Sequence, residues 1–387
     1  MLQKFNPSKT KHITQINKML GLFFHTPKAQ IPLSISKIKN ILVLDFTGLG
    51  DIVMLTPFLR TLKRNCPTAK ITLVCSMGGQ EVLSEQHLAD RFVALDRKCL
   101  SSPFKMLWNF LTIYRALRQI NQEVYDFALE PRGDLRHIFF MHFCKAIRKA
   151  SYNYTGGECF LTDVVIPSEG PVHLVEDKLD FLKQLGFAVS NKDIYPRLLL
   201  TKTQEEGNKT FLKTNNLEKK TIIGIHPGAS QIIRKWPYYP ELLTLLNQQI
   251  PNAVFLVFEG VEDRLQADAI MEAASRKHAL ALRVKTSLKD MIARLACCDF
   301  VVCNDSGAGH IAAALEVLTF VIFGPANPEM VKPYNLSGVY PIKGSRLSCK
   351  NVCKKSCNCP PGCLKQINAP YVYEIIRKRI GLSKGSL

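Results

Sequence analysis

The residues with the clearest capacity for chemistry form one polar, glycine-rich segment, Asn304-Asp305-Ser306-Gly307-Ala308-Gly309-His310. Bulky apolar residues 300–303 precede it, small residues 311–315 follow, and a second apolar run covers 320–323. This order predicts strand, turn, helix and strand, with the turn at the carboxyl end of a strand and the amino end of a helix. An open α/β sheet binds ligands at that position, and the glycines let backbone N–H groups approach an anion. The alternative is a capped helix start that binds nothing.

Two further glycine turns follow predicted buried strands. Residues 41–44 lead into Gly48-Leu49-Gly50-Asp51 and a predicted helix over 52–64, and residues 221–225 lead into His226-Pro227-Gly228-Ala229-Ser230. The first turn is not the dinucleotide fingerprint, because position 53 is valine where that motif needs glycine.

The elements around these turns must position them. Predicted strands alternate with helices through about residue 150, including one long helix over 103–120, and a second alternating series begins at 221. We therefore expect an α/β protein with two doubly wound domains of similar size and a cleft between them. The predicted divisions are a basic amphipathic tail (1–36), a first domain (37–200), a second domain (201–365) and a basic carboxyl-terminal helix (366–387).

The charge is concentrated at the two ends of the chain. The formal charge is +19, but residues 1–40 have seven lysines and no acid, and residues 331–387 have eleven basic residues against Glu374 alone. Residues 41–330 are nearly neutral, with 33 basic and 31 acidic residues. Basic ends on a neutral body favour an anionic membrane surface over nucleic acid. Ile13, Ile16, Leu20 and Phe23 recur at helical spacing in the tail, which supports this interpretation; a solvated tail is the alternative.

Membrane-spanning and export segments are not predicted. No run of eighteen apolar residues occurs, and the amino end lacks an apolar core followed by a small-residue cleavage site.

Most of the thirteen cysteines in such a chain are expected to be thiols. Those in apolar stretches are predicted to be buried: Cys75, Cys144, Cys297, Cys298 and Cys303. A second group could bind zinc, although its spacing is unusual for a zinc site and a redox-sensitive or structural thiol cluster is the alternative. It comprises Cys349, Cys353, Cys357, Cys359 and Cys363.

Three motifs together resemble one family, the bacterial heptosyltransferases of lipopolysaccharide inner-core synthesis (glycosyltransferase family 9). They are residues 41–57 with Gly-Leu-Gly-Asp-Ile-Val, residues 224–230 followed by Lys235-Trp236-Pro237, and residues 304–325 from Asn-Asp-Ser-Gly to Phe-Gly-Pro. The resemblance extends over about residues 40–365, in the family's order and spacing.

The resemblance implies a GT-B fold, in which two Rossmann-like domains have parallel sheets that face each other across a cleft. It also implies an inverting transfer from ADP-heptose to a lipid A–Kdo type acceptor, with no metal or other cofactor. Asp51 matches the family's general base, which accepts the proton of the attacking hydroxyl. From the residues alone, Asp51 could instead neutralise the start of a helix.

The donor residues implied by the resemblance lie in the second half of the chain. Arg234 and Lys235 would hold the diphosphate, with Arg234 where the family has lysine, and Glu262 would hold the ribose, for which Glu259 and Asp263 are alternatives. The remaining donor-binding residues implied are Ser230, Asp305, Ser306, Gly307 and His310. The alternatives are a solvated basic pair at 234–235 and a structural histidine on a helix face.

The sequence thus predicts a cytoplasmic enzyme, peripheral on the inner face of the bacterial inner membrane through its basic ends. Its partners are a nucleotide-sugar donor and an anionic glycolipid acceptor, without nucleic acid. Two rival functions are another nucleotide-sugar-dependent GT-B enzyme, such as an epimerase, and a catalytically silent nucleotide-sugar binding protein.

Overall fold

A computed structural model of the protein shows buried parallel strands at the centre of each half of the chain. That model describes residue 15 and residues 17–29, 34–190, 194–260, 262–335, 338–344 and 363–381. The chain divides into two compact units, residues 1–194 and 195–387.

In the first unit, six strands and eight helices alternate along the described chain. The strands are β1 (Asn40–Asp45), β2 (Lys70–Cys75), β3 (Arg91–Ala94), β4 (Tyr125–Glu130), β5 (Ala146–Tyr152) and β6 (Asp163–Val165). The helices are α1 (17–23), α2 (Leu49–Val53), α3 (Thr56–Asn65), α4 (Met77–Leu83), α5 (Pro103–Trp108), α6 (Phe110–Ile120), α7 (Leu135–His142) and α8 (Leu174–Gln184).

The second unit repeats this alternation. Its strands are β7 (Thr221–His226), β8 (Ala253–Phe258), β9 (Leu280–Val284), β10 (Phe300–Asn304), β11 (Leu318–Ile322) and β12 (Val339–Ile342). Its helices are α9 (Lys202–Thr214), α10 (Tyr239–Gln249), α11 (Arg264–Arg276), α12 (Leu288–Leu295), α13 (Gly307–Ala314), α14 (Pro328–Val331) and α15 (Ala369–Ile380).

Both sheets have the same topology. The strand order is β3-β2-β1-β4-β5-β6 in the first unit and β12-β11-β10-β7-β8-β9 in the second, and the neighbouring strands run parallel. Leu42 of β1 is in register with Thr72 of β2 on one side and with Ala128 of β4 on the other. Each unit is therefore a doubly wound, Rossmann-like domain, as the alternating pattern predicts.

Two of the predicted helices are interrupted. The helix predicted over 52–64 is two helices, α2 and α3, because Pro57 has no N–H to donate and its ring crowds the preceding turn. The helix predicted over 103–120 divides into α5 and α6 at Asn109, whose side-chain amide donates to the carbonyl oxygen of Lys105 at 2.8 Å.

The amino-terminal segment packs on the first unit instead of forming a separate tail throughout. The backbone N–H of Gly157 donates to Oδ1 of Asn17 at 2.7 Å, and Nζ of Lys28 donates to the carbonyl oxygen of Glu158 at 2.7 Å. Leu20 packs against the hydrophobic cluster beneath α6 and α7, whereas Phe23 is exposed. Ile13 and Ile16 of the predicted stripe lie outside the described residues.

The carboxyl-terminal helix α15 belongs to the second unit. Val372 and Ile376 are buried in the hydrophobic cluster that also contains Leu246 of α10. Within the described residues, none of the helices has both the length and the apolar character needed to cross a bilayer.

Candidate active site

In both units, the predicted glycine turns follow the strands at which the sheet order reverses. The reversal lies between β1 and β4 in the first unit and between β7 and β10 in the second. The loops that follow such strands diverge to opposite faces of the sheet and leave a crevice for a ligand. The topology therefore brings together the loop after β1 with that after β4, and the loop after β7 with that after β10.

In the first unit, this arrangement pairs Asp51 with an arginine that the motif analysis did not select. Asp51 lies in the first turn of α2, and its Oδ1 is 3.3 Å from Nη1 of Arg132 in the loop after β4. Both side chains are partly exposed. Burial by itself lowers the pKa of Arg132, but the charges of Asp51, Asp45 and Glu130 raise it above its ordinary value. Arg132 is thus a fixed cation beside a solvent-accessible carboxylate.

A buried carboxylate holds the loop that presents Arg132. Oε2 of Glu130, the last residue of β4, accepts from the backbone N–H of Gly133 at 2.7 Å and from the hydroxyl of Ser151 at 2.7 Å. Its other oxygen lies 3.0 Å from Nδ1 of His137. Gly133 has a φ of +66°, and a Cβ there would lie 2.8 Å from the carbonyl oxygen of Tyr152, so this turn requires glycine.

A buried ion pair lies beneath the same loops. Oδ2 of Asp45, at the end of β1, is 2.5 Å from Nζ of Lys178 in α8, and both side chains are almost completely buried. Burial by itself raises the pKa of Asp45. The charges of Lys178 and Arg132 act in the opposite direction, and the net result is that the pKa lies below its ordinary value. Asp45 is therefore an anion within the protein, close enough to Arg132 to stabilise its charge.

In the second unit, Asn304 joins the two loops at the reversal point. Its side-chain nitrogen donates to the carbonyl oxygen of Pro227 at 2.7 Å, and its oxygen accepts from the backbone N–H of Trp236 at 3.1 Å. Tyr239 donates its hydroxyl to the same oxygen at 3.1 Å. This fully buried amide fixes the loop after β7 against the end of β10.

The two predicted diphosphate cations are each paired with a carboxylate. Nη1 of Arg234 lies 3.0 Å from Oδ2 of Asp305, and Nζ of Lys235 lies 2.7 Å from Oδ1 of Asp263. Arg234 is about one-third exposed, while Lys235 is largely buried and also donates to the carbonyl oxygen of Glu262 at 2.9 Å. The structure therefore brings Arg234, Lys235 and Asp305 to one edge of the sheet.

The three candidate carboxylates for the ribose have different surroundings. Glu259 is buried beside Arg283, with Oε2 3.2 Å from Nη1, and Asp263 is engaged by Lys235. The side chain of Glu262 is exposed to solvent. Asp263 is close to the loop after β7, since a Cβ added to Gly228 would overlap its carboxylate.

Helix α13 begins at Gly307 with Ser306 as its N-cap residue, and the Ser306 side chain makes no capping hydrogen bond. His310, the fourth residue of α13, is buried, and Ser230 is exposed in the loop after β7. Gly309 permits close packing on β10, because a Cβ there would lie 2.8 Å from Sγ of Cys303.

Buried polar atoms without a hydrogen-bond partner collect at this edge. Among the described residues these include Oγ of Ser306, Nδ1 of His226 and Nε of Arg234. Buried polar groups in proteins are normally hydrogen-bonded, so a cluster of unsatisfied atoms beside two cations and a helix start is typical of a ligand site.

The cysteines divide as their sequence contexts suggest, with one exception. Cys75, Cys144, Cys298 and Cys303 are buried, whereas Cys297 is only half-buried. Burial raises the pKa of the Cys144 thiol to about 12, so it is protonated at neutral pH. Within the described ranges, there is no group of three or more His, Cys, Asp or Glu side chains that could hold a metal.

Of the predicted zinc cluster, Cys363 is buried in the second unit. Its other members, Cys349, Cys353, Cys357 and Cys359, lie outside the described residues.

Comparisons with known proteins agree with this architecture. A model of glycosyltransferase family 9 (heptosyltransferase) matches residues 113–361. Lipooligosaccharide heptosyltransferase 2 of Haemophilus influenzae is 25% identical over 306 residues, covering 76% of this chain and 86% of that protein. Lipopolysaccharide heptosyltransferase 3 of Escherichia coli is 24% identical over 291 residues, covering 74% of this chain and 82% of that protein.

Solved structures support the same fold. A glycosyl transferase family 9 protein from Veillonella parvula has a TM-score of 0.73 at 19% identity and covers 90% of this chain and 99% of its own. The E. coli heptosyltransferase WaaC with ADP has a TM-score of 0.67 at 17% identity, covering 88% of this chain and 99% of its own. The predicted GT-B fold of two Rossmann-like domains is confirmed.

Proposed function

Since this chain belongs to glycosyltransferase family 9, the heptosyltransferases, we propose that it transfers a heptose from ADP-heptose to a lipopolysaccharide inner-core acceptor with inversion at the anomeric carbon. The chain is a glycosyltransferase; the donor, the acceptor and the stereochemistry are the proposal. Its relatives include lipopolysaccharide and lipooligosaccharide heptosyltransferases, and WaaC has been solved with ADP and with ADP-2-deoxy-2-fluoro heptose.

The observation that supports this proposal best is the edge of the second sheet. Arg234 and Lys235 lie there beside the uncapped start of α13, with the buried Oγ of Ser306 lacking a hydrogen-bond partner among the described residues. Two cations, a hydroxyl and free backbone N–H groups are the donors that a nucleoside diphosphate needs.

The leaving group determines what these residues do. As the acceptor oxygen bonds to the anomeric carbon, the carbon–oxygen bond to the diphosphate breaks and its electron pair leaves with ADP. Arg234 and Lys235 would stabilise the negative charge that develops on the diphosphate, which supports a metal-independent transfer. For this to occur, the diphosphate must compete with Asp305 and Asp263 for the two cations. Ser230, Gly307 and His310 complete the proposed diphosphate side.

The sugar and ribose hydroxyls require acceptors as well as donors. We assign the ribose to Glu262, because its carboxylate is exposed while Glu259 and Asp263 are engaged by basic side chains. Asp305 would accept from the hydroxyls of the transferred sugar once Arg234 turns to the diphosphate.

On the acceptor side, Asp51 would take the proton of the attacking hydroxyl. Inversion requires a base on the face opposite the leaving group, and a partly exposed carboxylate at a helix start is available to a substrate hydroxyl. Arg132, which holds this carboxylate from one side, is a positioning residue in the proposal.

We further propose that the enzyme works in the cytoplasm, on the inner face of the bacterial inner membrane, attracted through its basic ends. Residues 1–40 contain seven lysines and no acidic residue, and eleven basic residues lie in 331–387. An anionic leaflet attracts such segments within a Debye length of its surface. Replacing Lys4, Lys9 and Lys11 by glutamine should then weaken binding to anionic vesicles most strongly at low salt, whereas unchanged binding would remove the tail from the proposal.

The decisive test supplies purified protein with a panel of ADP- and UDP-sugars plus extracted core glycolipid. Mass spectrometry should detect addition of one heptose from ADP-heptose with release of ADP. Asp51→Asn should lower transfer by about 10²–10⁴-fold and leave the calorimetric affinity for ADP unchanged. Conversion of a nucleotide sugar without acceptor would favour an epimerase, and donor binding without turnover would favour a silent binding protein.

A further inference from the structure

Helices α5 and α6 have an apolar face that packs on the protein and a second apolar face that does not. The inner face, which includes Ile113, Ala116 and Ile120, is buried in the hydrophobic cluster of the first unit. The outer face is exposed to solvent. We call it the α5–α6 stripe, and its members are Phe104, Leu107, Trp108, Phe110, Leu111 and Tyr114.

The spacing of these residues places them on one side of each helix. Within α5, Phe104 is three residues from Leu107 and four from Trp108. Within α6, Tyr114 is four residues from Phe110 and three from Leu111. Leu107 is 75% exposed, Trp108 81% and Leu111 65%. Single exposed apolar residues are common in proteins, but six within the eleven residues 104–114 are a concentration of the kind that marks a contact surface.

Aromatic rings account for most of this surface, and they are ordered against each other. Phe104 stacks with Trp108 at a ring-centroid distance of 6.4 Å, and Phe110 stacks with Tyr114 at 6.2 Å. Tryptophan and tyrosine favour the headgroup region of a bilayer, where their rings contact acyl chains and their polar atoms remain hydrated.

The charged residues in the sequence that carries the stripe are all basic. Between Asp96 and Glu123 the sequence contains five basic residues and no acidic residue. Of these, Lys98, Lys105, Arg115 and Arg118 are exposed. This combination of an apolar, aromatic face with flanking cations is that of an interfacial helix on an anionic membrane.

Helix α1 packs on the same hydrophobic cluster as α6 and also exposes apolar side chains. Its Leu20 packs against the cluster that α6 and α7 also cover, while Met19, Leu22 and Phe23 are exposed. The amino-terminal helix thus uses its inward residue to dock on the protein and leaves further apolar side chains outside.

We propose that the α5–α6 stripe is a membrane-docking surface that inserts its aromatic residues into the interface of an anionic phospholipid bilayer. The inference rests on the proposed function in one respect, because a lipid-linked acceptor lies in a bilayer and the enzyme must reach it there. It differs from attraction through the basic ends, since insertion of apolar side chains persists at salt concentrations that screen surface charge.

The chain contains its own reporter for this insertion. It has two tryptophans, of which Trp108 lies in the stripe and Trp236 is 1% exposed in the core of the second unit. With vesicles of phosphatidylglycerol and phosphatidylethanolamine, without acceptor, Trp108 emission should shift to shorter wavelength and be quenched by brominated acyl chains. Trp108→Phe should abolish the spectral change and retain sedimentation with vesicles.

A matched pair of variants tests the surface. Leu107→Gln with Leu111→Gln retains Trp108 and should reduce vesicle binding at least tenfold at high salt. The control is Ile166→Gln with Leu199→Gln, at positions 72% and 70% exposed but outside the stripe, which should bind as the wild type. Because the four side chains are exposed, circular dichroism melts should remain unchanged.

Three results would overturn the inference: unchanged vesicle binding by the stripe variant, loss of binding in both variants, or a stripe-dependent dimer with no Trp108 quenching. The assay contains neither donor nor acceptor, so it separates the two proposals. Vesicle insertion without glycosyl transfer would refute the proposed function alone, and transfer without insertion would refute the docking surface alone.

Discussion

The guanidinium Nη1 of Arg132, in the loop after β4, lies 3.3 Å from Oδ1 of Asp51, in the first turn of α2. The pairing exists because β1 and β4 are neighbours in the sheet, so the loops that follow them start side by side. The carboxylate proposed as general base therefore has a defined orientation before any substrate binds, which is a condition for efficient proton transfer.

Replacement of Arg132 tests whether that orientation matters. Arg132→Met should lower kcat by about 10²-fold, because a misplaced base slows the chemical step more than it weakens binding. KM for the donor should remain unchanged, and Arg132→Lys should recover part of the rate. Steady-state kinetics measure kcat and KM separately. The control is Arg136→Met, whose wild-type guanidinium pairs with Asp134. An equal loss of kcat in this control would indicate general damage to the loop.

The buried pair of Asp45 and Lys178 predicts a specific response to acid. The pKa of Asp45 lies below its ordinary value of 3.8 in the folded protein, so the stabilisation from its charge is complete above that value. It is lost as the pH falls through the lowered pKa. Urea unfolding of Asp45→Asn should accordingly show a weaker dependence on pH below about 4 than the wild type does.

Removal of the cation from this pair should be costly. Lys178→Met leaves the Asp45 carboxylate buried without its main partner, and the free energy of unfolding should fall by about 3–5 kcal/mol. The pKa of Asp45 should then rise towards its unfolded value, so the acid destabilisation that this carboxylate contributes should be smaller than in the wild type. Lys183→Met in the same helix is the control, because Lys183 is exposed; similar unfolding curves for the two variants would contradict the prediction.

Arg234 and Lys235 should contribute separately to nucleotide affinity. Each of Arg234→Ala and Lys235→Ala should weaken ADP binding by about 10–100-fold, since hydrogen bonds to charged groups contribute about 1.5–3 kcal/mol. Calorimetry at fixed ionic strength measures this, with Lys209→Ala on the exposed side of α9 as control. An unchanged affinity in both site variants would remove the basic pair from the donor site.

Two helical glycines provide a paired test of packing. Gly309→Ala should destabilise the protein by about 1–3 kcal/mol, because the added Cβ would meet Sγ of Cys303 at 2.8 Å. Gly207→Ala, in α9, has nothing within 4 Å of the added atom and should stabilise by about 0.5–1 kcal/mol. Thermal or urea unfolding distinguishes the signs; a stabilised Gly309→Ala would show that α13 does not need its close approach to β10.

Sequence patterns predicted the strands with continuous apolar runs and missed strands that carry charged residues. β1, β7 and β10 are continuous apolar runs because both faces of each are covered. β5 and β9 carry arginine or lysine and are only partly buried, so their sequences have no such run and were not predicted as strands. The predicted lengths of two helices were wrong because one residue interrupts each periodic pattern, Pro57 in the first and Asn109 in the second.

The sequence by itself determined the alternation of strands and helices, the three glycine-rich turns and the polar residues that follow them. These are local properties, because they depend on side-chain size, hydrophobicity and backbone freedom over a few residues. Only the tertiary structure decided which turns become neighbours, and so brought Arg132 to Asp51 and Arg234 to Asp305. It also decided that α5 and α6 turn an aromatic face to solvent, because burial depends on what the rest of the chain covers.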